Sequence, residues 1–411
     1  MSRIVRRSFT TSVLTVALAA AISSVGAESA RPVDCFPDEI VSWQAAEPAP
    51  EARFGATFLP GIVLGVPGNS LPIQGSTSVA SLGNGGAVVL RFTDVVIEDG
   101  PGPDFIIFEN PFFVGFAPVS PQDDYRIFAE PGVVEVSADG VTWTAFPFDT
   151  QALADSLGAD IAPAQYESLQ GLAGLTPTFT GNWTVPNDPL DFDPAGTGGV
   201  TGAGGDAFDL ATVALAEVRW IRITDAGSQN GPAGAAEGFD LETVVVIHGR
   251  PVPPSTSDRD GDRLPDLAEE SLYGTDPDLP DSDGDGIDDG REVAACRDPD
   301  GLGDAPVFAA EPRLWMSDDA GCTEARWTFL GTGVTYDLIR GETAALAEDA
   351  SSIDLGLTTC LADGHLTVSW SCDATVPAPS QQLFYVVRAA GEAHFGRSSR
   401  LKPREATTPC P

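Results

Sequence analysis

Between residues 255 and 305 the chain holds 17 acidic residues, four arginines and few apolar side chains, and the acids are spaced rather than scattered. In Asp281-Ser-Asp283-Gly-Asp285-Gly286-Ile287-Asp-Asp289-Gly-Arg-Glu292, carboxylates fall at positions 1, 3, 5, 9 and 12 of a loop, with glycine at 6 and an apolar residue at 7. On a tightly curled backbone this spacing turns alternate acids toward one point, where they repel one another unless a hard cation sits among them. Gly286 permits the sharp turn, the Ile287 carbonyl supplies an oxygen, and Glu292 closes the shell. Upstream, Asp258, Asp260, Asp262, Asp266 and Glu269 repeat the five positions, with the Leu264 carbonyl at 7 and Arg263 where the second loop has glycine. Both loops are expected to take Ca²⁺; Mg²⁺ is disfavoured because many protein oxygens are offered rather than a few plus water. With so little apolar material, ion binding is expected to supply most of the segment's folding free energy. The bland alternative is a solvated acidic hinge.

Charge and cysteines bound the rest. The 22 basic and 60 acidic residues leave a net charge of −38, a field that repels phosphate backbones and anionic lipid, so no nucleic-acid partner is expected. At the N-terminus Arg3, Arg6 and Arg7 precede an apolar run ending near Val25-Gly26-Ala27, the layout of a cleaved secretory leader over residues 1–27. No later stretch is long and apolar enough for a membrane helix, so the chain is read as secreted, extracellular or at the cell surface. Beyond the leader there are six cysteines, Cys35, Cys296, Cys322, Cys360, Cys372 and Cys410, enough for three disulfides, with the pairing left open. None forms a C-x-x-C pair, which argues against zinc or thiol-redox chemistry.

Short apolar runs between Gly, Asn and Asp turns dominate the remainder, including Ala87–Phe92, Asp104–Glu109, Glu217–Ile223 and Thr243–Ile247. They predict a mostly β protein. One helical stretch is expected near Thr150–Gln170. The divisions are a β-sandwich over 28–249, a Pro-rich linker over 250–257, the acidic loops over 258–304, a second β unit over 305–405 and a tail over 406–411.

Several phrases resemble known families. Tyr273-Gly-Thr-Asp276-Pro-Asp278-Leu-Pro-Asp281, leading into the second loop, resembles bacterial thrombospondin type 3 repeats, which implies a calcium-dependent spacer in which Asp276 or Asp278 bridges neighbouring ions. Val134-Glu-Val-Ser-Ala-Asp139-Gly140-Val-Thr-Trp143, with Gly100–Asn110, Gly204–Leu210 and Gly238–Glu242, resembles galactose-binding-like jelly rolls of bacterial cell-surface proteins. There Asp-Gly makes a hairpin turn and the aromatic packs on the sheet. Ala325-Arg-Trp327, Tyr336–Gly341 and Phe384–Ala389 resemble strands of an Ig or fibronectin type III sandwich, with Trp327 in the core and Tyr385 as a tyrosine corner.

Asp104, Glu109, Asp206, Asp209, Asp240 and Glu242 end apolar runs of the first β unit. They form a candidate second metal or sugar-hydroxyl site, against the commoner role of capping turns. Trp143, Trp183 and Trp220 are candidate sugar platforms, with core packing expected for Trp220. The three histidines, His248, His365 and His394, lie in no H-E-x-x-H motif, and G-x-S-x-G is absent. The expectation is therefore a calcium-binding adhesion or glycan-binding protein whose partner is an extracellular glycan or a matrix or cell-surface protein. The alternatives are a secreted hydrolase with accessory β domains and a purely structural envelope component.

Overall fold

Alternation in Ala87–Arg91 and Trp220–Asp225 places Val88, Leu90, Ile221 and Ile223 on one face and their polar neighbours on the other. These strands sit at the centre of an antiparallel sheet. Its order is Glu39–Gln44, Ala87–Arg91, Trp220–Asp225, Gly132–Ser137 and Leu172–Ala173, with Thr144–Ala145 hairpinned onto Gly132–Ser137. The structure, a computed structural model, describes residues 33–45, 54–68, 76–115, 124–157, 160–178, 204–227, 238–254, 256–301, 312–319, 322–330, 334–349, 351–375, 377–378, 381–395, 402–406 and 410. The leader at 1–27 and Trp183 lie outside them.

Phe105–Phe108 and Thr243–Val246 are buried at every position, which explains why they read as unbroken apolar runs. They pair with each other, and Asp206–Phe208 joins on the far side of Phe105–Phe108. Val95–Glu98 is flanked by Glu217–Val218 and Gly249–Pro251, and Ala80–Ser81 pairs with Asp240–Leu241. Inward side chains of these strands and of the large sheet meet in one core that includes Leu90, Phe105, Phe208, Ile221, Phe239 and Val244. The protein is thus mostly β, with packed sheets and few helices. The expected helical stretch resolves into Thr150–Ser156, capped by the Asp149 carboxylate, and Pro163–Tyr166, where proline suits a first helical turn. Both cover a smaller core around Phe113, Ile127, Ile161 and Leu169.

The second β unit pairs Leu314–Asp319, Cys322–Trp327 and Ser369–Asp373 in one sheet, and Thr358–His365, Tyr336–Glu342 and Leu383–Ala389 in another. Trp327 and Tyr336 are fully buried between them. Tyr385 makes no tyrosine corner: its hydroxyl donates to the Asp373 carboxylate (2.8 Å), which also binds Arg340. Trp220 is likewise not a core residue. It lies on the outer face between Arg91 and Arg219, because the alternation that buries Ile221 turns its neighbour outward.

The β units and the acidic segment interlock. Cys35 pairs with Cys296 across a sequence separation of 261, while Cys322–Cys372 and Cys360–Cys410 staple the second β unit. Arg313, before that unit's first strand, reaches Asp34 (2.5 Å) and Asp38 (2.9 Å). Phe329 N–H donates to the Gly61 carbonyl, and Val66 N–H to the Phe329 carbonyl. Arg250 and Pro251, placed in the linker by composition, instead finish the strand Gly249–Pro251 against Val95–Glu98. Proline is tolerated there because the strand lies at the edge of its sheet.

Candidate metal centre

The two acidic loops share one backbone template at an offset of 23 residues. Position 1 accepts from the glycine N–H at position 4, in Asp258–Gly261 and in Asp281–Gly284 (2.8 Å each). Position 3 accepts from position 5, and position 5 from position 7, with Leu264 and Ile287 N–H donating at 2.8 Å to Asp262 and Asp285. Position 9 reaches back to the N–H of position 2, Asp266 to Arg259 (2.9 Å) and Asp289 to Ser282 (2.8 Å). At position 3 one carboxylate oxygen holds the curl and the other is left over, whereas Asp262, Asp266, Asp281 and Asp289 are bonded through both oxygens. Arg263 adopts φ 80°, the left-handed conformation that Gly286 adopts at φ 99°. The first loop therefore keeps the shape without the glycine, at a steric cost to the arginine.

Inside each loop the same two residues carry buried carboxylate oxygens with no hydrogen-bond partner. They are Asp260 Oδ2 and Glu269 Oε2 in the first loop, and Asp283 Oδ2 and Glu292 Oε2 in the second, positions 3 and 12 in both. Such orphaned anionic oxygens are costly to bury. An all-oxygen donor set of this kind suits a hard divalent cation. Asp258, Asp260 and Asp262 bring carboxylate oxygens within 4.8 Å of one another, and so do Asp281, Asp283 and Asp285. A third group, Asp262, Glu269 and Asp289, joins the loops, and Asp262 also accepts from Gly290 N–H (2.9 Å). Burial, then the charges of Asp262 and Asp260, pushes Glu269 up to about 8. Burial, then Asp285 and Asp283, does the same for Glu292. Burial also lifts Asp262 to about 7.

Three expected ligands have other partners. Asp266 is held by Arg259 and the Ser257 hydroxyl, which keep its carboxyl below the usual range. Asp278 is paired with Arg259 at 3.1 Å, and Asp276 accepts from Asp278 N–H; among the described residues neither joins an acidic group. The segment also has apolar, ionic and covalent anchors. Leu264, Ala268, Val293, Ala294 and Ala295 are buried, Arg291 pairs with Glu98 at 2.8 Å, and Cys296 is bridged to Cys35.

The six acids of the first β unit do not converge. Asp104 holds a turn, accepting from Gly100 N–H, Leu210 N–H (2.7 Å each) and His248 Nδ1 (3.1 Å). Asp209 caps a short turn at Ala211 and lies with Asp104 and Asp99. Asp206 accepts from Leu175 N–H and is lifted to about 7 by burial; Glu242 accepts from Gly68 N–H. Glu109 and Asp240 do meet, and their third member is Glu130, which sequence reasoning passed over. Nothing in its local phrase, Ala129-Glu130-Pro131-Gly132, marks it as more than a turn acid.

No protein-family model matches the chain, and no curated protein does. Among solved structures it has a faint likeness to one described as "Biofilm associated protein - BSP domain", with 11% identity and a TM-score of 0.12. The match covers 74% of this chain and 48% of that one, so the chain spans about half the length of that structure.

Proposed function

We propose that the paired loops bind calcium and that the chain is an extracellular surface protein whose architecture is set by that binding. The observation that carries this reading is the matched pair of orphaned, buried carboxylate oxygens at positions 3 and 12 of each loop. Cations resting there offset the repulsion among those carboxylates. The loops are packed on the first β unit through Cys35–Cys296, Arg291–Glu98 and Val33–Tyr273, and they lead directly into the second. Calcium therefore acts as a brace at the junction rather than as a stiffener of a free spacer. In this reading the segment is of the thrombospondin type 3 kind, flanked by a galactose-binding-like and a fibronectin type III-like unit.

The role we assign is binding rather than catalysis, with an extracellular glycan or a matrix or cell-surface protein as partner. Two histidines are engaged in structural bonds, His248 with Asp104 and His365 with the Ser369 carbonyl. The test is limited proteolysis of the full chain in calcium and in EDTA, paired with equilibrium dialysis. Calcium should protect residues 255–305 from cleavage, and Asp260→Asn with Asp283→Asn should abolish the protection. Identical digestion patterns with and without calcium would overturn the reading. A glycan array with the calcium-loaded chain addresses the partner.

A further inference from the structure

We propose a second kind of calcium site, buried in the first β unit and formed by Glu109, Glu130 and Asp240. These residues are 2%, 5% and 9% exposed, and each offers a carboxylate oxygen within 4.8 Å of the other two. Three oxygens no farther apart than that can share a centre within about 2.8 Å of each, and a small inward shift reaches the calcium–oxygen distance of about 2.3–2.6 Å. The three come from separate places in the chain: the end of Phe105–Phe108, the turn before Gly132–Ser137, and the strand Asp240–Leu241.

Each carboxylate is aimed by hydrogen bonds, and Asp240 through both oxygens, the Asn110 amide donating to its Oδ2 at 3.4 Å. Asp240 N–H donates to Glu109 Oε1 (2.7 Å), Gly238 N–H to Glu130 Oε1 (2.7 Å), and the Ser81 hydroxyl to Asp240 Oδ1. Glu109 Oε2 is then left buried with no hydrogen-bond partner. The backbone keeps the space before that oxygen clear. Gly174, at φ +80°, would carry a Cβ only 2.7 Å from the Glu130 carbonyl oxygen and 3.4 Å from Glu109 Oε2.

Among the described residues, the cationic side chains of the first β unit are bonded elsewhere. The chain has one lysine, Lys402, which pairs with Glu348 in the second β unit. Arg91, Arg126, Arg222 and Arg250 pair with Glu39, Asp124, Glu135 and Glu98, and Arg219 donates to the carbonyls of Phe92 and Thr93. Glu109 therefore presents a buried, unbonded carboxylate oxygen beside two further buried carboxylates. Hard oxygen donors, without His or Cys, select a cation of the calcium type. Its role would be to pin two strands and a turn at one rim of the sandwich.

The test separates this site from the loops. A full-length chain with Asp258→Asn, Asp260→Asn, Asp281→Asn and Asp283→Asn is stripped with EDTA, and bound calcium is counted by equilibrium dialysis alongside thermal melts. About one ion per chain should remain, with a Tm that calcium raises by several degrees. Adding Glu109→Gln and Glu130→Gln should remove that ion, and the melt in EDTA should then rise because the buried repulsion is gone. A loop-silenced chain that binds no calcium would overturn the proposal, as would an unchanged ion count after the glutamine substitutions. Should the glutamine chain not fold, the count decides on a loop-silenced chain that also carries Asp262→Asn and Asp289→Asn, which removes the third loop group. Failure of the loop reading instead leaves the wild-type chain with this ion only.

Discussion

The two acidic loops fold to one template and differ in what surrounds it. Both make the same four internal bonds and leave the same two oxygens orphaned. The first loop nevertheless has Arg259 at position 2, pulling Asp266 and Asp278 toward itself, and Arg263 forced into a left-handed conformation. The second has Ser282 and Gly286 at those places, and its last turn is clamped by the disulfide at Cys296. Loop shape follows from where short acids meet backbone N–H groups, whereas cation affinity follows from the net charge left facing the centre. Two copies can therefore keep one shape and diverge in strength.

The largest expected effect comes from the clamp. Replacing Cys35 and Cys296 together by alanine should cost about 2–5 kcal/mol of stability, read from denaturant midpoints. It should weaken the second calcium site more than the first; equal weakening would remove the clamp from the comparison. Next is ligand charge. Asp283→Asn should lower calcium affinity of the second loop on the order of 100-fold, and Asp260→Asn should lower that of the first by only about 10-fold, because arginines already offset part of its charge. Calorimetric titration of both variants resolves the two sites, and equal losses would show that Arg259 and Arg263 do not matter.

A smaller effect is expected from pH. Asp262, Glu269 and Glu292 have folded-state pKa values raised to about 7, 8 and 8, so without calcium the folded segment binds more protons than the unfolded one. In EDTA, stability should therefore be highest near pH 5 and fall as the pH rises through 8. Saturating calcium should abolish that decline, and protease resistance measured across the range checks both halves. The smallest change is Arg263→Gly, which should stabilise the first loop by about 1 kcal/mol by relieving its left-handed arginine, seen as a higher Tm at unchanged ion count. A destabilised variant would mean that the arginine side chain contributes more packing than its backbone costs.

Much of the molecule was legible without coordinates because it is local. Acids two residues apart on a curled loop can only turn inward or cap the next N–H, and at position 3 of both loops they do the second with one oxygen and the first with the other. Apolar alternation likewise marked Ala87–Arg91 and Trp220–Asp225 as strands, since a strand's side chains must alternate between faces. Its phase was harder to read at Trp220, where an aromatic on the outer face satisfies the same pattern as one in the core. Composition overstated the linker for a related reason: Arg250-Pro251 looks like a break until a neighbouring strand needs an edge.

Long-range convergence had no local trace. The sequence by itself determined the loop template, the β class and an even set of cysteines, because covalent spacing bounds what neighbouring residues can do. Only the tertiary structure decided that Cys35 meets Cys296, that Asp289 faces Asp262 and Glu269 of the other loop, and that Glu130 lies with Glu109 and Asp240. Those meetings depend on strand register and on the packing of separate elements, and a shift of one residue in register would turn each side chain to the opposite face.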